Sequence, residues 1–395
     1  MISQNHMKRI LIFSLAYYPN FVSGAEVAIR EITDRIEPND IEFHLVTLLF
    51  DSHAPRLETI GNVIVHRVGF GGAYLSKILF VPLAALMARA LHRTHSFDAL
   101  WAMMTYMLFP LMIAKMLGLR PPHILTLQDG DPYEKVFGRW FIRPVTPLLD
   151  YGFRTAAVVQ AISVYLSTWP ARRGYRGEVV IVPNGASIPP TQSYPAEELE
   201  ALKRSVGKKD GDIFLISVAR LVHQKGLDSI IRALPLLPAH VRYLAVGEGT
   251  ERGMLEGLAK ELGVEKRVIF VGKVERSETS KYRKISDIFV LPSRSEGQGI
   301  SFLSTMAAGL PIVATQEGGI ADFLYDEKRN PDEPPTGWAV DADSPEQIAA
   351  AVKDILAHPE KVVRTVTNAR RMVVERYDWD TIARTMREKV FGRLL

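Results

Sequence analysis

From Lys8 to Val340 the chain alternates short apolar runs with segments whose apolar residues recur at helical spacing, and that alternation leaves few architectures open. Parallel neighbouring strands need a long crossover, usually a helix, so repeated alternation implies parallel sheets covered by helices on both faces. The predicted strands of the first half are Arg9 to Leu15, Glu42 to Leu48, Val63 to Val68, Ala99 to Ala102, Ile124 to Gln128, Ala157 to Gln160 and Val179 to Val182. Those of the second half are Ile213 to Val218, Val241 to Val246, Val268 to Val271, Ile288 to Leu291, Ile312 to Thr315 and Trp338 to Val340. Two such series in 395 residues predict an α/β protein of two Rossmann-like domains, each large enough for its own core. The polar, proline-bearing stretch Ser187 to Glu197 reads as the linker, which gives domains 1–186 and 187–376 and a tail 377–395. Ligands of open α/β sheets bind beyond the C-terminal ends of the strands, so two domains facing across a cleft are expected.

Composition narrows the chemistry. Cysteine is absent, which excludes a disulfide framework, a thiolate metal site and a cysteine nucleophile. Apolar residues at 47% and charged ones at 23% give a globular balance. Up to residue 190 there are 18 Lys and Arg against 14 Asp and Glu, and after it 30 against 30, so the whole net charge of +4 lies in the first half. The clusters Arg139 with Arg143, and Arg172 with Arg173 and Arg176, fit either a solvated surface or the phosphates of a lipid headgroup or anionic acceptor. The run Ile10 to Ala16 follows Lys8 and Arg9 but is strand-like in length and lacks a cleavage pattern, so it is read as a strand and not a secretory signal. Ile78 to Leu91 and Ala99 to Leu119 are strongly apolar; Pro110 and Lys115 interrupt the second, and both are read as core or interface helices.

The stretch Ser293 to Thr315, SRSEGQGISFLSTMAAGLPIVAT, carries the densest local information. It joins two apolar runs through a glycine-rich turn and a stripe at Ile300, Leu303, Met306 and Ala307, which predicts strand, turn, helix, strand. Gly309 before Leu310 and Pro311 closes the helix. At the other end Gly297 and Gly299 uncover backbone N–H groups at a helix N-terminus, where partial positive charge collects, with Glu296 at the mouth. Earlier, Ile213 to Lys225 ends a strand with Arg220 and enters a helix through Lys225 and Gly226. A fork-shaped cation, a point charge and helix N–H groups are what phosphate binding asks for.

These motifs resemble the signature of the family 4 glycosyltransferases, a retaining group with the GT-B fold, in which a Glu opens a Gly-rich turn and a second Glu follows at what is here position 304. In this chain the first is Glu296 and position 304 is Ser304. The resemblance implies that Glu296, Gly297, Gln298, Gly299 and Ile300 hold the donor sugar, that Arg220 and Lys225 hold the donor diphosphate, and that the ribose contact of the second acid falls to Ser304. It also makes Gly247, in the run Gly247 to Gly249, part of the family's glycine pair, and places Gly272, within Phe270 to Val274, where the base is accepted. Pro183, Asn184 and Gly185 match the family's turn before the linker. The tail, with Trp379, Ile382, Ala383, Met386 and Val390 on one helical face, is expected to pack back on the first domain.

In the first domain the turn Tyr17 to Glu26, YYPNFVSGAE, contains Gly24, which the resemblance places over the donor phosphates. It has no G-x-G-x-x-G, so a dinucleotide-dependent oxidoreductase loses its main support. Leu125 to Glu134, LTLQDGDPYE, brings Asp129, Asp131 and Glu134 together; the residue types fit a cation site or a turn, and Asp-Gly-Asp-Pro favours the turn, so no metal is expected. Where the family usually has a His near the reacting centre this chain has Gln128, which can hydrogen-bond a hydroxyl but cannot act as a base, leaving Asp129 as the candidate beside the acceptor.

The resemblance therefore implies a hexosyltransferase of polysaccharide or glycolipid synthesis, moving a sugar with retention from a nucleotide-diphosphate sugar to a glycan or lipid-linked hydroxyl. It implies no cofactor and no nucleic-acid partner. A cytoplasmic location with peripheral contact to an anionic inner membrane face is the matching expectation. The alternatives are an epimerase or phosphorylase of the same fold and a non-catalytic sugar-nucleotide-binding protein.

Overall fold

The computed structural model describes residues 7–19, 22–71, 74–186 and 194–395. Contacts divide the chain into two compact units, Met1–Gly185 with Trp379–Leu395, and Ala186–Asp378. Residues 187–193 of the expected linker, and 20–21 of the first turn, lie outside the described residues. The linker reading extends too far at its other end, because Ala196–Ser205 is helical: its first turn carries Glu197 and Glu198 and its last Lys203 and Arg204, which suits the helix dipole.

Unit 1 contains β1 (Lys8–Phe13), β2 (Ile41–Leu48), β3 (Leu57–Ile60), β4 (Val63–Val68), β5 (Ala99–Met103), β6 (His123–Leu127), β7 (Val158–Ala161) and β8 (Val179–Ile181). Among the described residues they form an eight-stranded sheet in the order β3-β4-β2-β1-β5-β6-β7-β8. All neighbours are parallel except β3 and β4, which are antiparallel and share the edge. This hairpin departs from the expected all-parallel sheet. Its outer strand, LETI, is nowhere fully buried, so it carries no apolar run to announce it.

Helix Tyr74–His95 lays Phe80, Ala84, Ala85, Ala88 and Leu91 on the core of this unit. Its stretch Leu75–His95 is long and apolar enough to cross a membrane by length and composition; one face is buried in that core, while Leu75, Ile78 and Leu86 stay exposed on the other. The final helix, Trp379–Lys389, buries Trp379, Ile382, Ala383 and Met386. It packs on helix Gly24–Thr33, and Arg387 clamps Asp40 at 2.7 Å while Arg35 reaches Asp380 at 2.6 Å.

Unit 2 contains β9 (Ile213–Val218), β10 (Val241–Val246), β11 (Val268–Gly272), β12 (Ile288–Leu291), β13 (Ile312–Ala314) and β14 (Trp338–Ala339). They form a parallel six-stranded sheet, β11-β10-β9-β12-β13-β14, among the described residues. The centre strands are apolar on both faces, as helix-covered parallel strands must be. Succession runs outward from β9 to β11 on one side and from β12 to β14 on the other, so the direction of winding reverses between β9 and β12. Loops leaving those two adjacent strands part there and open a crevice at their C-terminal ends.

Candidate active site

The loops at this reversal carry the strongest candidates. Arg220 follows β9 and is exposed, and its guanidinium has no hydrogen-bond or ion-pair partner among the described residues. Lys225 ends the short turn His223–Lys225, and Gly226 then admits the left-handed conformation (φ +65°) before helix Leu227–Ala233. Glu296 comes from the loop after β12. The Lys225 Nζ donates to Glu296 Oε2, and only 14% and 11% of the two side chains remain exposed. The two residues are thus brought together by the adjacency of β9 and β12.

A set of bonds fixes this pairing. The Arg294 N–H donates to the Gln224 carbonyl (2.8 Å), and the Gln224 amide donates back to the Ser295 carbonyl (2.9 Å). The Arg294 guanidinium donates to the His223 carbonyl (2.6 Å), to Asp228 (2.8 Å) and to Asp343 (2.8 Å). Arg294 therefore straps the Glu296 loop to the Lys225 loop and to the helix behind it. Nothing local in the sequence marks this role, since its carboxylate partners lie 66 and 49 positions away.

The glycines divide by function. Gly299 sits at φ +92°, and a Cβ there would stand 2.5 Å from Phe302 Cδ2 and 3.3 Å from Glu296 Cγ, so glycine lets the turn close over Glu296 into helix Ile300–Ala308. Gln298 and Gly297 are buried beneath that turn and Ile300 begins the helix. Gly247 has a different reason: a Cβ would lie 1.9 Å from the Ala219 carbonyl oxygen, and its N–H is already given to the Gly272 carbonyl at 2.9 Å. Gly247 and Gly272 thus tie β10 to β11 and let the Arg220 loop approach. The main-chain donor of Gly247 is thereby occupied within the sheet.

In unit 1 the corresponding strand ends hold a neutral pair and one buried acid. Gln128 and Asn184 exchange two amide hydrogen bonds, 3.0 and 3.2 Å, joining the end of β6 to the turn after β8. Asp129 is buried and accepts from the Thr105 hydroxyl at 2.8 Å and the Thr105 N–H at 3.3 Å. Burial pushes its carboxyl up to about 6, against the lowering effect of Thr105. Thr105 follows Met104, whose φ of +75° is unusual for a residue with a side chain and belongs to the same strand end.

The other two acids are committed elsewhere. Asp131 binds Lys135 (2.8 Å) and Arg139 (3.0 Å), and Glu134 meets Arg172 at 3.3 Å. Arg173 is also withdrawn, which corrects the idea that its whole cluster faces phosphate: it is turned inward onto Asp150 and the Phe137 ring. Gly24 opens helix Gly24–Thr33, where the Glu26 carboxylate accepts from the Ser23 N–H (2.6 Å) and hydroxyl (2.5 Å).

Two family profiles match this chain, Glycosyltransferase Family 4 over residues 22–188 and Glycosyl transferases group 1 over residues 199–372. The chain belongs to the family 4 glycosyltransferases. An uncharacterised glycosyltransferase of Methanocaldococcus jannaschii is 36% identical over 190 residues, 48% of this chain and 47% of that protein. A GDP-mannose-dependent α-(1-6)-phosphatidylinositol monomannoside mannosyltransferase of Mycobacterium tuberculosis is 29% identical over 266 residues, 64% of this chain and 66% of that one. The match therefore spans less than two thirds of the length of these curated relatives. Sucrose-phosphate synthase from Thermosynechococcus elongatus has the same GT-B fold, with a TM-score of 0.82 at 18% identity over 98% of both chains.

In this family 4 glycosyltransferase the neighbours of Ser304 on its helix hold a buried arginine. Ser304 is half-buried on helix Ile300–Ala308, and its helix neighbours Ser301 and Thr305 both serve Arg283. The buried Arg283 guanidinium donates to Thr305 Oγ1 (3.0 Å), Thr279 Oγ1 (3.0 Å) and Ser301 Oγ (3.4 Å), and has no carboxylate partner among the described residues. Burial lowers it to about 10. Ser301 in turn donates to the Val218 carbonyl at 2.8 Å, fixing the helix to the end of β9. Neither Arg283 nor Thr105 is marked by a sequence motif, since Thr305 lies 22 positions from Arg283 and Asp129 lies 24 from Thr105.

Proposed function

We propose that the chain transfers a hexosyl group from a nucleoside-diphosphate sugar to a hydroxyl of a glycan or lipid-linked acceptor, with retention at the anomeric carbon. The observation that carries the reading is the meeting of Lys225 and Glu296 at the reversal between β9 and β12, beside an unpartnered Arg220. In the transfer the bond from the anomeric carbon to the diphosphate oxygen breaks with its electron pair going to the diphosphate. The acceptor oxygen bonds to the same face, and its proton passes to the departing phosphate oxygen. Arg220 and Lys225 stabilise the charge that grows on the leaving group. Glu296, fixed by Arg294, orients Lys225 and accepts from donor-sugar hydroxyls beside Gly297, Gln298, Gly299 and Ile300. Gly272 lies by the base and Ser304 by the ribose. Gln128 and Asp129 contact the acceptor, where a neutral amide pair and a carboxyl near neutrality suit a hydroxyl group.

The relative from Mycobacterium tuberculosis, by its name, uses GDP-mannose and a phosphatidylinositol monomannoside. That supports a nucleotide-sugar donor here and a lipid-linked acceptor, which a protein at the cytoplasmic face of an anionic membrane would meet. Two measurements test the reading. A thermal-shift series of nucleoside diphosphates and their sugars should raise Tm, a ligand at 100 times its Kd adding about 2.7 kcal/mol. Donor turnover should then require acceptor extract and survive chelator; epimerisation without acceptor, or binding without turnover, would replace the transferase reading with an epimerase or a binding protein.

A further inference from the structure

The most water-exposed aromatic pair among the described residues of unit 1 is not part of the site just described. Helix Tyr133–Phe137 ends at Gly138, and the chain crosses to the turn Arg143–Val145 with Phe137 and Ile142 buried as pins on either side. Between those pins Trp140 is 82% and Phe141 48% exposed, their rings in edge contact at 5.8 Å. Arg139 and Arg143 flank the pair: Arg139 is held by Asp131, and Arg143 is exposed with no ion-pair partner among the described residues. Two further apolar side chains, Phe70 and Leu75, stand exposed after β4, on the same edge of the sheet, because β4 and β6 run parallel within it.

We propose that Arg139–Val145 is a membrane-interface anchor, in which Trp140 and Phe141 enter the headgroup region of an anionic bilayer while Arg143 meets lipid phosphate. Charge complementarity selects this partner. Indole and phenyl rings favour the boundary between water and hydrocarbon, and a free arginine beside them favours anionic lipid. The surplus of basic residues in the first half of the chain adds attraction over the same unit. The segment lies at the edge from which the C-terminal ends of β5 and β6 emerge, so the anchor would bring a lipid-linked acceptor to the side that carries Gln128 and Asp129. The biological sense rests on the lipid-acceptor reading; the bilayer contact itself is measured without donor or acceptor.

The other four tryptophans are buried, so Trp140 reports on its own surroundings. The full chain is mixed with phosphatidylglycerol/phosphatidylcholine vesicles or with phosphatidylcholine alone. Expected are a blue shift of tryptophan emission, quenching by brominated acyl chains, and flotation with the anionic vesicles. W140A/F141A should lower partitioning by at least about tenfold. Arg143→Gln should flatten the salt dependence while keeping the blue shift. An unchanged nucleoside-diphosphate thermal shift in each variant confirms an intact fold. Emission that ignores vesicles, or a double variant that floats like the parent, overturns the anchor. So does self-association of the lipid-free parent that the double variant abolishes, which would assign the patch to a second copy. If vesicles bind through Trp140 and yet no lipid acceptor is glycosylated, the acceptor reading fails and the anchor stands.

Discussion

The strand ends of the two units are finished in opposite ways. In unit 2 the loops after β9 and β12 carry full charges, a largely buried Lys225 and Glu296 pair strapped by Arg294, with Arg220 left over. In unit 1 the loops after β5, β6 and β8 end in an amide pair, Gln128 with Asn184, and in an acid held near neutrality by burial, Asp129. A preformed charged cluster suits a dianionic ligand whose position must be fixed, because the desolvation of the cations has been met before binding. An amide pair beside a single carboxyl that takes up its charge only near pH 6 suits a hydroxyl-bearing ligand, for which a permanent charge offers little selectivity. On the proposed function, this contrast would divide donor and acceptor between the units.

The largest effect should come from Gly247. Its Ala variant would set a Cβ against the Ala219 carbonyl at 1.9 Å and force a φ of +140° on a residue with a side chain. Denaturant unfolding should show unit 2 destabilised by more than about 3 kcal/mol. A stable Gly247→Ala protein that merely loses donor affinity would instead show that this position serves the ligand and not the packing of β10 against the Arg220 loop.

Next come the cations. Arg220→Ala and Lys225→Ala should each weaken nucleoside-diphosphate binding and turnover by on the order of 1.5 to 3 kcal/mol, the worth of a charge-assisted contact. Unchanged affinity and rate in both, with the fold intact, would end the assignment of unit 2 to the diphosphate.

Asp129 tests the unit 1 side through pH. Its carboxyl is raised from 3.8 to about 6 on folding, so between those values the folded protein keeps a proton that the unfolded chain has released. The resulting penalty is absent below about pH 4 and complete above about pH 6, and stability falls across that window as pH rises. Asp129→Asn removes it. The stability of the variant relative to the parent should therefore increase from pH 4 to pH 7, by on the order of 2 kcal/mol. A difference that is flat with pH would show that Asp129 is solvated and ionised, and the contrast between the units would lose its acid.

The smallest effect is expected at Ser304. With no charge and a short side chain it should contribute little to ribose recognition, so Ser304→Ala should be nearly silent; a loss of about 0.5 to 1.5 kcal/mol would mean a direct hydrogen bond. Ser304→Glu sharpens the matter. A carboxylate there has two calls on it, the ribose hydroxyls and the buried Arg283 that Ser301 and Thr305 already serve. Selective tightening of ribonucleotide over deoxyribonucleotide donors supports the first, and a higher Tm without altered selectivity supports the second.

Much of the framework was legible before any coordinates, because its causes are local. Strand and helix periods, Gly309 ahead of Pro311, and the glycine turn at Glu296 depend on hydrogen bonding and sterics within a few residues, and the predicted strands correspond to thirteen of the fourteen observed. The exception, β3, exists through its pairing with β4 and has no buried run of its own. What only the tertiary structure decided is who meets whom. Lys225 and Glu296 are 71 positions apart, Gln128 and Asn184 56, and Thr105 and Asp129 24. Their encounters follow from the order of strands in each sheet, which no local pattern encodes. Burial is equally non-local: it turns Asp129 into an acid near neutrality, leaves Arg283 among hydroxyls, and sets Trp140 apart from the four tryptophans packed inside. An amino acid carries its chemistry with it, but its solvation and its partners are properties of the fold.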